Sequence, residues 1–284
     1  MGLLSSLRSS QSHTRDASAV ADGEAVAVEQ LRSLLASRGL AAEDMPPQPD
    51  LLRFLRARAM NVTKASDFLL KDLAWRRENR IAVRSMEDAS TVLGCNVSKL
   101  QAILPHACPG GVDKLGRPIL FKHFGGQCEL RKMLKETTED KLHDYNWWLN
   151  EQYVRKLDEL GAKKWVVIID AKAWYPGLFD GIAFRFLKSM AQVDADHYPE
   201  RLGAMIIINA PATLAFCWRV VRTWLDEETR RKIDIISNGS PMRARERILE
   251  LAHPDQLPEQ YCGNAAPLDA WPAWPECSGL PFGA

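Results

Sequence analysis

The stretch from His197 to Pro211, HYPERLGAMIIINAP, decides the fold. Ala204 to Ile208 is a short apolar run rich in β-branched residues, and it predicts a buried strand. Glu200 and Arg201 stand immediately before it. An unpaired charge taken into a core costs several kcal/mol, so a carboxylate at that threshold needs a partner. Pro199 fixes the approach and Gly203 permits a sharp turn, which predicts that Glu200 is held at the mouth of the strand.

Outward from this strand, short apolar runs alternate with longer amphipathic segments. The runs are Ile119 to Phe124, Trp165 to Ile169, Ala204 to Ile208 and Ile233 to Ile236. Between them lie helical patterns at Thr137 to Leu160, Phe179 to Gln192 and Pro211 to Arg231, the last broken near Asp226. Strands alternating with helices predict an α/β layer with some parallel pairing.

The chain before Pro109-Gly110-Gly111 has a different texture. Val28, Leu31, Leu34 and Leu35 recur at helical spacing over Glu24 to Arg38, and Gly39 supplies a stop. Pro46, Pro47 and Pro49 then break the chain before Asp50, a candidate N-cap for a helix over Asp50 to Met60. A third helix is expected near Val62 to Arg77. These observations divide the chain into an N-terminal tail (1–23), a helical domain (24–105), an α/β domain (106–264) and a proline- and tryptophan-rich C-terminal tail (265–284).

Several charges fall in unexpected places. On a helical projection of Asp50 to Met60, Arg58 lies within the arc of Leu51, Leu52, Phe54, Leu55 and Ala59. A guanidinium there needs a buried anion, a set of acceptors or a route by which its head reaches water. Lys232, three residues after Thr229, directly precedes the run Ile233 to Ile236. The segment Pro211 to Leu225 is apolar around far more of its circumference than an ordinary surface helix, with Arg219, Arg222 and Thr223 as its polar edge. Such a helix is either an ordinary core helix or a lid with apolar neighbours on two sides.

Composition narrows the function. Lys plus Arg number 37 against 36 Asp plus Glu, a formal charge of +1, so no global field favours nucleic acid. Six scattered cysteines form no C-x-x-C pair, which argues against zinc or a disulfide framework and for a reduced, cytoplasmic setting. No apolar run approaches the ~18 residues that cross a bilayer, so membrane contact is expected to be peripheral. Met1-Gly2-Leu3-Leu4-Ser5-Ser6 fits an N-myristoylation pattern, against the alternative of a disordered tail or an organelle presequence. No G-x-S-x-G, H-E-x-x-H or P-loop is present, and His197 beside Glu200 is the one histidine pairing of note. Catalysis, a resident metal and a cofactor are therefore not expected.

Five ordered words give the chain a family resemblance: LLRFLRAR (Leu51 to Arg58), DKLGRPI (Asp113 to Ile119), YPERLG (Tyr198 to Gly203), INAP (Ile208 to Pro211) and LPEQYCG (Leu257 to Gly263). Together they resemble the CRAL-TRIO lipid-binding family, in particular its yeast-type phosphatidylinositol transfer proteins. The resemblance implies a CRAL-TRIO fold: a small helical domain packed on an α/β domain whose mixed sheet floors an apolar pocket closed by a gating helix. By position that gate is Pro211 to Leu225, with Leu214, Trp218, Val221 and Leu225 toward the pocket. It also implies that Arg58, Glu200, Thr229 and Lys232 surround an inositol phosphate headgroup, whose arrival makes Glu200 tolerable.

One departure concerns the strand before Asp170, where relatives of dual specificity place hydroxyl side chains toward phosphatidylcholine. Trp165 and Val167 stand there and cannot reproduce those contacts. The implied function is to bind phosphatidylinositol, with room for a second lipid, and to transfer or present it between membranes. The alternative is a carrier or sensor of a sterol, tocopherol or retinoid. Implied partners are a transiently bound membrane surface and a lipid kinase or trafficking protein.

Overall fold

The computed structural model describes residue 20 and residues 22–108, 111–126 and 128–265. They form two compact units, one ending at Asn79 and the other beginning at Arg80.

The first unit is helical. α1 (22–37) ends where Gly39 turns left-handed at φ +89°. α2 (Gln48–Arg56) and α3 (Val62–Glu78) follow. Leu31, Leu35, Leu51, Phe54, Leu55, Ala65 and Leu69 make its core, with the rings of Phe54 and Phe68 edge to face at 5.0 Å. The start of α2 differs from expectation. Pro47 is its N-cap and Pro49 lies inside the first turn, where a missing N–H costs no helical hydrogen bond. Its end differs too, for Ala59 and Met60 take φ of 49° and 61° and cannot continue a helix.

The second unit is built on a five-stranded sheet in sequential order: β1 (His106–Ala107), β2 (Ile119–His123), β3 (Trp165–Asp170), β4 (Leu202–Ala210) and β5 (Ile233–Ser237). β1 is antiparallel to β2, and the other pairings are parallel. The short helices α4 (Ile81–Arg84), α5 (Ala89–Leu93) and α6 (Val97–Ile103) precede the sheet. α7 (Leu130–Met133) and α8 (Glu139–Leu160) connect β2 to β3, and α9 (Gly181–His197) connects β3 to β4. The β4–β5 connection holds α10 (Ala212–Val221), a 3-10 turn (Arg222–Trp224) and α11 (Glu227–Arg231). The break expected near Asp226 is there because its side chain caps α11 by accepting from Thr229 N at 2.8 Å.

Residues 80–105, grouped by sequence with the N-terminal helices, fall in the α/β unit. Side chains of α8 hold them: Trp148 Nε1 donates to Glu87 O at 3.0 Å, and Gln152 Nε2 to Ser85 O at 2.9 Å.

Strand register assigns each residue to a face. Ile119, Phe121, Val166, Ile168, Ala204, Ile206, Ile208 and Ile236 share one face, which α12 (Pro241–Leu251) and the segment through Tyr261 seal. Tyr261 stacks on Phe121 at 4.8 Å. Two cross-strand rows occupy the other face: Leu120, Val167, Met205 and Ile233, then Lys122, Ile169, Ile207 and Ile235.

Candidate functional site: a charged edge beside an apolar floor

Parallel strands in register bring their leading residues together at one edge of the sheet. Lys164 directly precedes β3, Glu200 lies two residues before β4, and Lys232 directly precedes β5. Their side chains meet: Lys164 Nζ donates to Glu200 Oε2 at 2.8 Å, and Lys232 Nζ lies 3.6 Å from the same oxygen. Lys232 also pairs with Glu228 at 2.7 Å. Burial acts to raise the Glu200 pKa, but the hydrogen bond and charge of Lys164 together with the charge of Lys232 outweigh it and hold the carboxyl below its ordinary value.

The carboxylate at the strand's mouth is thus compensated by the protein's own lysines and does not wait for a ligand. The sharp turn is also placed differently from expectation. Glu200 itself adopts φ 61°, while Gly203 is required by close approach, since a Cβ there would stand 2.5 Å from Arg117 Nη1 and 3.0 Å from Trp165 O.

Thr229 lies one turn before Lys232, and its hydroxyl donates to Asp226 Oδ2 at 2.6 Å within the α11 cap. Glu200 and Lys232 are therefore in contact, with Thr229 on the adjoining turn. Arg58 belongs to the helical unit. There its guanidinium stacks over the Phe68 ring at 3.5 Å and donates through Nη1 to Ala57 O at 2.8 Å, and the side chain as a whole is half-buried. Sequence reasoning passed over Lys164 and Glu228. The signal for Lys164 was the same as for Lys232: a lysine abutting an apolar run whose strand lies parallel to β4.

The second element of the site is the half-open face of the sheet. Ile169, Met205, Ile207, Ile233 and Ile235 each keep open surface, whereas Ile168 and Ile206 on the reverse face are 0% exposed. α10 contains no buried residue despite its apolar composition. Leu214 and Cys217 of α10 pack with Ile207 of the floor against Ala171, Trp174 and Leu178. Trp218, Val221 and Leu225 are half-buried, Leu225 lying just past the 3-10 turn, and Phe216 is 66% exposed. The segment from α10 to α11 must run from the C-terminal end of β4 back to the N-terminal end of β5, so it traverses the length of the sheet.

The arrangement is a mixed sheet with one face sealed, the other left apolar and half-open, and a lysine-flanked carboxylate on its leading edge. A profile of the CRAL/TRIO domain matches residues 106–263, and the chain belongs to that family. It is 30% identical over 241 residues to "Protein real-time" of Anopheles gambiae, covering 78% of this chain and 33% of that one. It is 29% identical over 252 residues to "Phosphatidylinositol/phosphatidylcholine transfer protein SFH9" of Arabidopsis thaliana, covering 85% and 41%. The chain thus spans less than half the length of these two relatives. The crystal structure of Sfh5 shares the fold at a TM-score of 0.62 and 18% identity, covering 77% of this chain and 82% of that one. Among the described residues no helix is long and apolar enough to cross a membrane, and no group of three or more His, Cys, Asp and Glu is placed to hold a metal. Gly2 and the tail beyond Ala265 lie outside the described residues.

Proposed function

We propose that this protein binds phosphatidylinositol and transfers or presents it between membranes, acting as a carrier and not as an enzyme, with the phospholipid as ligand and no cofactor. The observation that carries this reading is the half-open isoleucine floor beneath a helix that buries none of its residues. Exposing an acyl chain to water costs ~0.8 kcal/mol per methylene, on the order of 20 kcal/mol for the two chains of a phospholipid. An apolar floor and lid offset most of that cost.

The leading edge supplies the polar chemistry. Inositol hydroxyls donate to Glu200 while the phosphodiester is drawn to Lys164 and Lys232, with Thr229 as the remaining headgroup contact on this edge. Similarity to a phosphatidylinositol/phosphatidylcholine transfer protein of Arabidopsis supports an inositol lipid. Exchange follows from the lid's relative affinity for its seat and for a bilayer, a shift of populations without bond chemistry. Exposed Phe216, with Arg219 beside its ring and Arg222 one turn on, suits an anionic surface met peripherally from the cytoplasm. A lipid kinase or trafficking protein is the partner such presentation would serve.

The test is to incubate the purified chain with vesicles of mixed lipids, recover it and identify the extracted ligand by mass spectrometry. Recovery of phosphatidylinositol is expected. Recovery of a sterol, tocopherol or retinoid in its place overturns the assignment.

A further inference from the structure

The turn between β5 and α12 reads NGSPMRAR over residues 238–245. Of the 16 prolines in the chain, Pro241 is the one that follows a serine or threonine. Arg243 stands three residues after Ser240 and Arg245 five residues after it. A hydroxyl followed at once by proline, with a cation three residues on, is the pattern that proline-directed serine/threonine kinases select. Proline leaves no N–H unpaired in an apolar kinase pocket, and the cation meets an anion of the kinase.

The structure leaves this serine uncommitted. Ser240 is the N-cap of α12, yet its side chain makes no capping hydrogen bond. Residues 237–239 and 241–243 are exposed around it, and Ser240 itself is half-buried. The first helical bond runs from Ala244 N to Ser240 O at 3.1 Å, and Ala244 is also the first residue of α12 to be buried. Residues 239–243 can therefore straighten into a kinase groove by opening one helical turn, with Ala244, Ile248 and Leu251 left in the core. Arg243 and Arg245 make no hydrogen bond or ion pair among the described residues, whereas Arg247 is held by Asp234 at 2.7 Å and Glu250 at 3.2 Å.

We infer that Ser240 is a phosphorylation site for a proline-directed kinase. Its Oγ attacks the γ-phosphorus of ATP and gives its proton to the base of the kinase, and the bond from that phosphorus to the bridging oxygen breaks as ADP leaves. The phosphate then accepts from the free N–H groups of the first turn of α12 and draws in Arg243, one turn on. Because α12 seals the closed face of the sheet, the modified chain is the more stable one. The turn also reaches the lid. Ser237 pairs with Ala210, and Asn238 N donates to Ala210 O at 3.0 Å, immediately before the Pro211 cap of α10. Ser240 follows Asn238 by two residues, at most about 7 Å of chain, so the phosphate lies within roughly a Debye length of the base of α10. There it opposes an anionic bilayer, and phosphorylation turns down the lid's encounter with membrane.

The acceptor assignment is independent of any ligand, while the membrane effect rests on the reading of α10 as a lid that meets an anionic surface. The full chain is incubated with a purified cyclin-dependent kinase and Mg-ATP, and phosphate is located by tandem mass spectrometry. Incorporation on Ser240 is expected. Ser240→Ala should abolish it and Arg243→Ala should slow it about tenfold. The Ser240 hydroxyl caps nothing and Arg243 is exposed, so both variants keep the fold, which circular dichroism checks. Native chain without phosphate on Ser240, or Arg243→Ala modified as fast as native chain, overturns the site. The phosphorylated chain should melt about 2 to 4 °C higher. It should also sediment severalfold less with anionic vesicles and unchanged with neutral ones. A chain phosphorylated on Ser240 that sediments as before removes the regulation. Unmodified chain that ignores anionic vesicles removes the membrane reading of the lid and leaves the acceptor standing on the mass spectrum.

Discussion

The two faces of the sheet are made by alternate residues of the same strands, yet they are finished in opposite ways. Ile168 and Ile206, beneath α12, are fully covered, while their neighbours Ile169 and Ile207 keep open surface beneath α10. Composition does not distinguish the faces, since both present isoleucine. The difference lies in the covering helices. α12 buries Ala244, Ile248 and Leu251 at i, i+4 and i+7, and α10 buries nothing. One face is closed and holds the fold together; the other keeps open apolar surface, which the proposed function assigns to a ligand.

The largest effect should separate the faces directly. Ile206→Ala leaves a cavity in the sealed face and should cost about 2 to 5 kcal/mol, whereas Ile207→Ala, one residue away, should cost roughly 1 kcal/mol or less because its surroundings are already partly open. Chemical denaturation of the two variants measures both. Equal losses would break the distinction between the faces.

A second prediction sharpens where the open face ends. His106 shares the face of Lys122 but is buried, with Nε2 3.0 Å from Tyr145 Oη of α8 and Nδ1 2.8 Å from Leu104 O. Burial lowers its pKa to about 4. Between pH 6.5 and about 4 the unfolded chain binds a proton that the folded chain does not. Stability from this group is therefore complete above pH 6.5 and falls on acidification, by about 3 kcal/mol once pH 4 is reached. Unfolding free energy measured across that range should show the slope, and His106→Gln should flatten it.

The charged edge comes next in size. Glu200→Ala and Lys232→Ala should each weaken phosphatidylinositol transfer between vesicles by about 1 to 3 kcal/mol of binding, and Lys164→Ala should join them. Unchanged transfer by all three folded variants would detach the edge from lipid recognition.

The parts of the molecule that could be read from sequence are those set by local pattern. The apolar runs at Ile119, Trp165, Ala204 and Ile233 became β2 to β5, and the Asp226 break proved to be an N-cap. What escaped depends on register or on tertiary contacts. β1 has two residues and exists by pairing with β2, and α12 shows only three buried residues amid its charges. Residues 80–105 carry helical signals that do not say which unit they join, a choice made by Trp148 and Gln152. At the site, Glu200 and Lys232 announced themselves beside apolar strands. The partnership of Lys164 required knowing that β3, β4 and β5 are adjacent and parallel.

The smallest stability effect belongs to the helix over the open face, and it is the most informative about function. Phe216 is 66% exposed on α10, so replacing it removes little buried area, and Phe216→Ser should change folding stability by no more than about 0.5 kcal/mol. An exposed phenylalanine beside Arg219 has no role in holding the sheet, yet it is suited to enter a bilayer surface when the lid leaves its seat. Phe216→Ser should therefore slow lipid transfer severalfold and reduce sedimentation with anionic vesicles, while leaving lipid already bound in place. A variant that loses stability and keeps transfer would mean that α10 seals its face as α12 seals the other, and the asymmetry between the two faces would have no functional content.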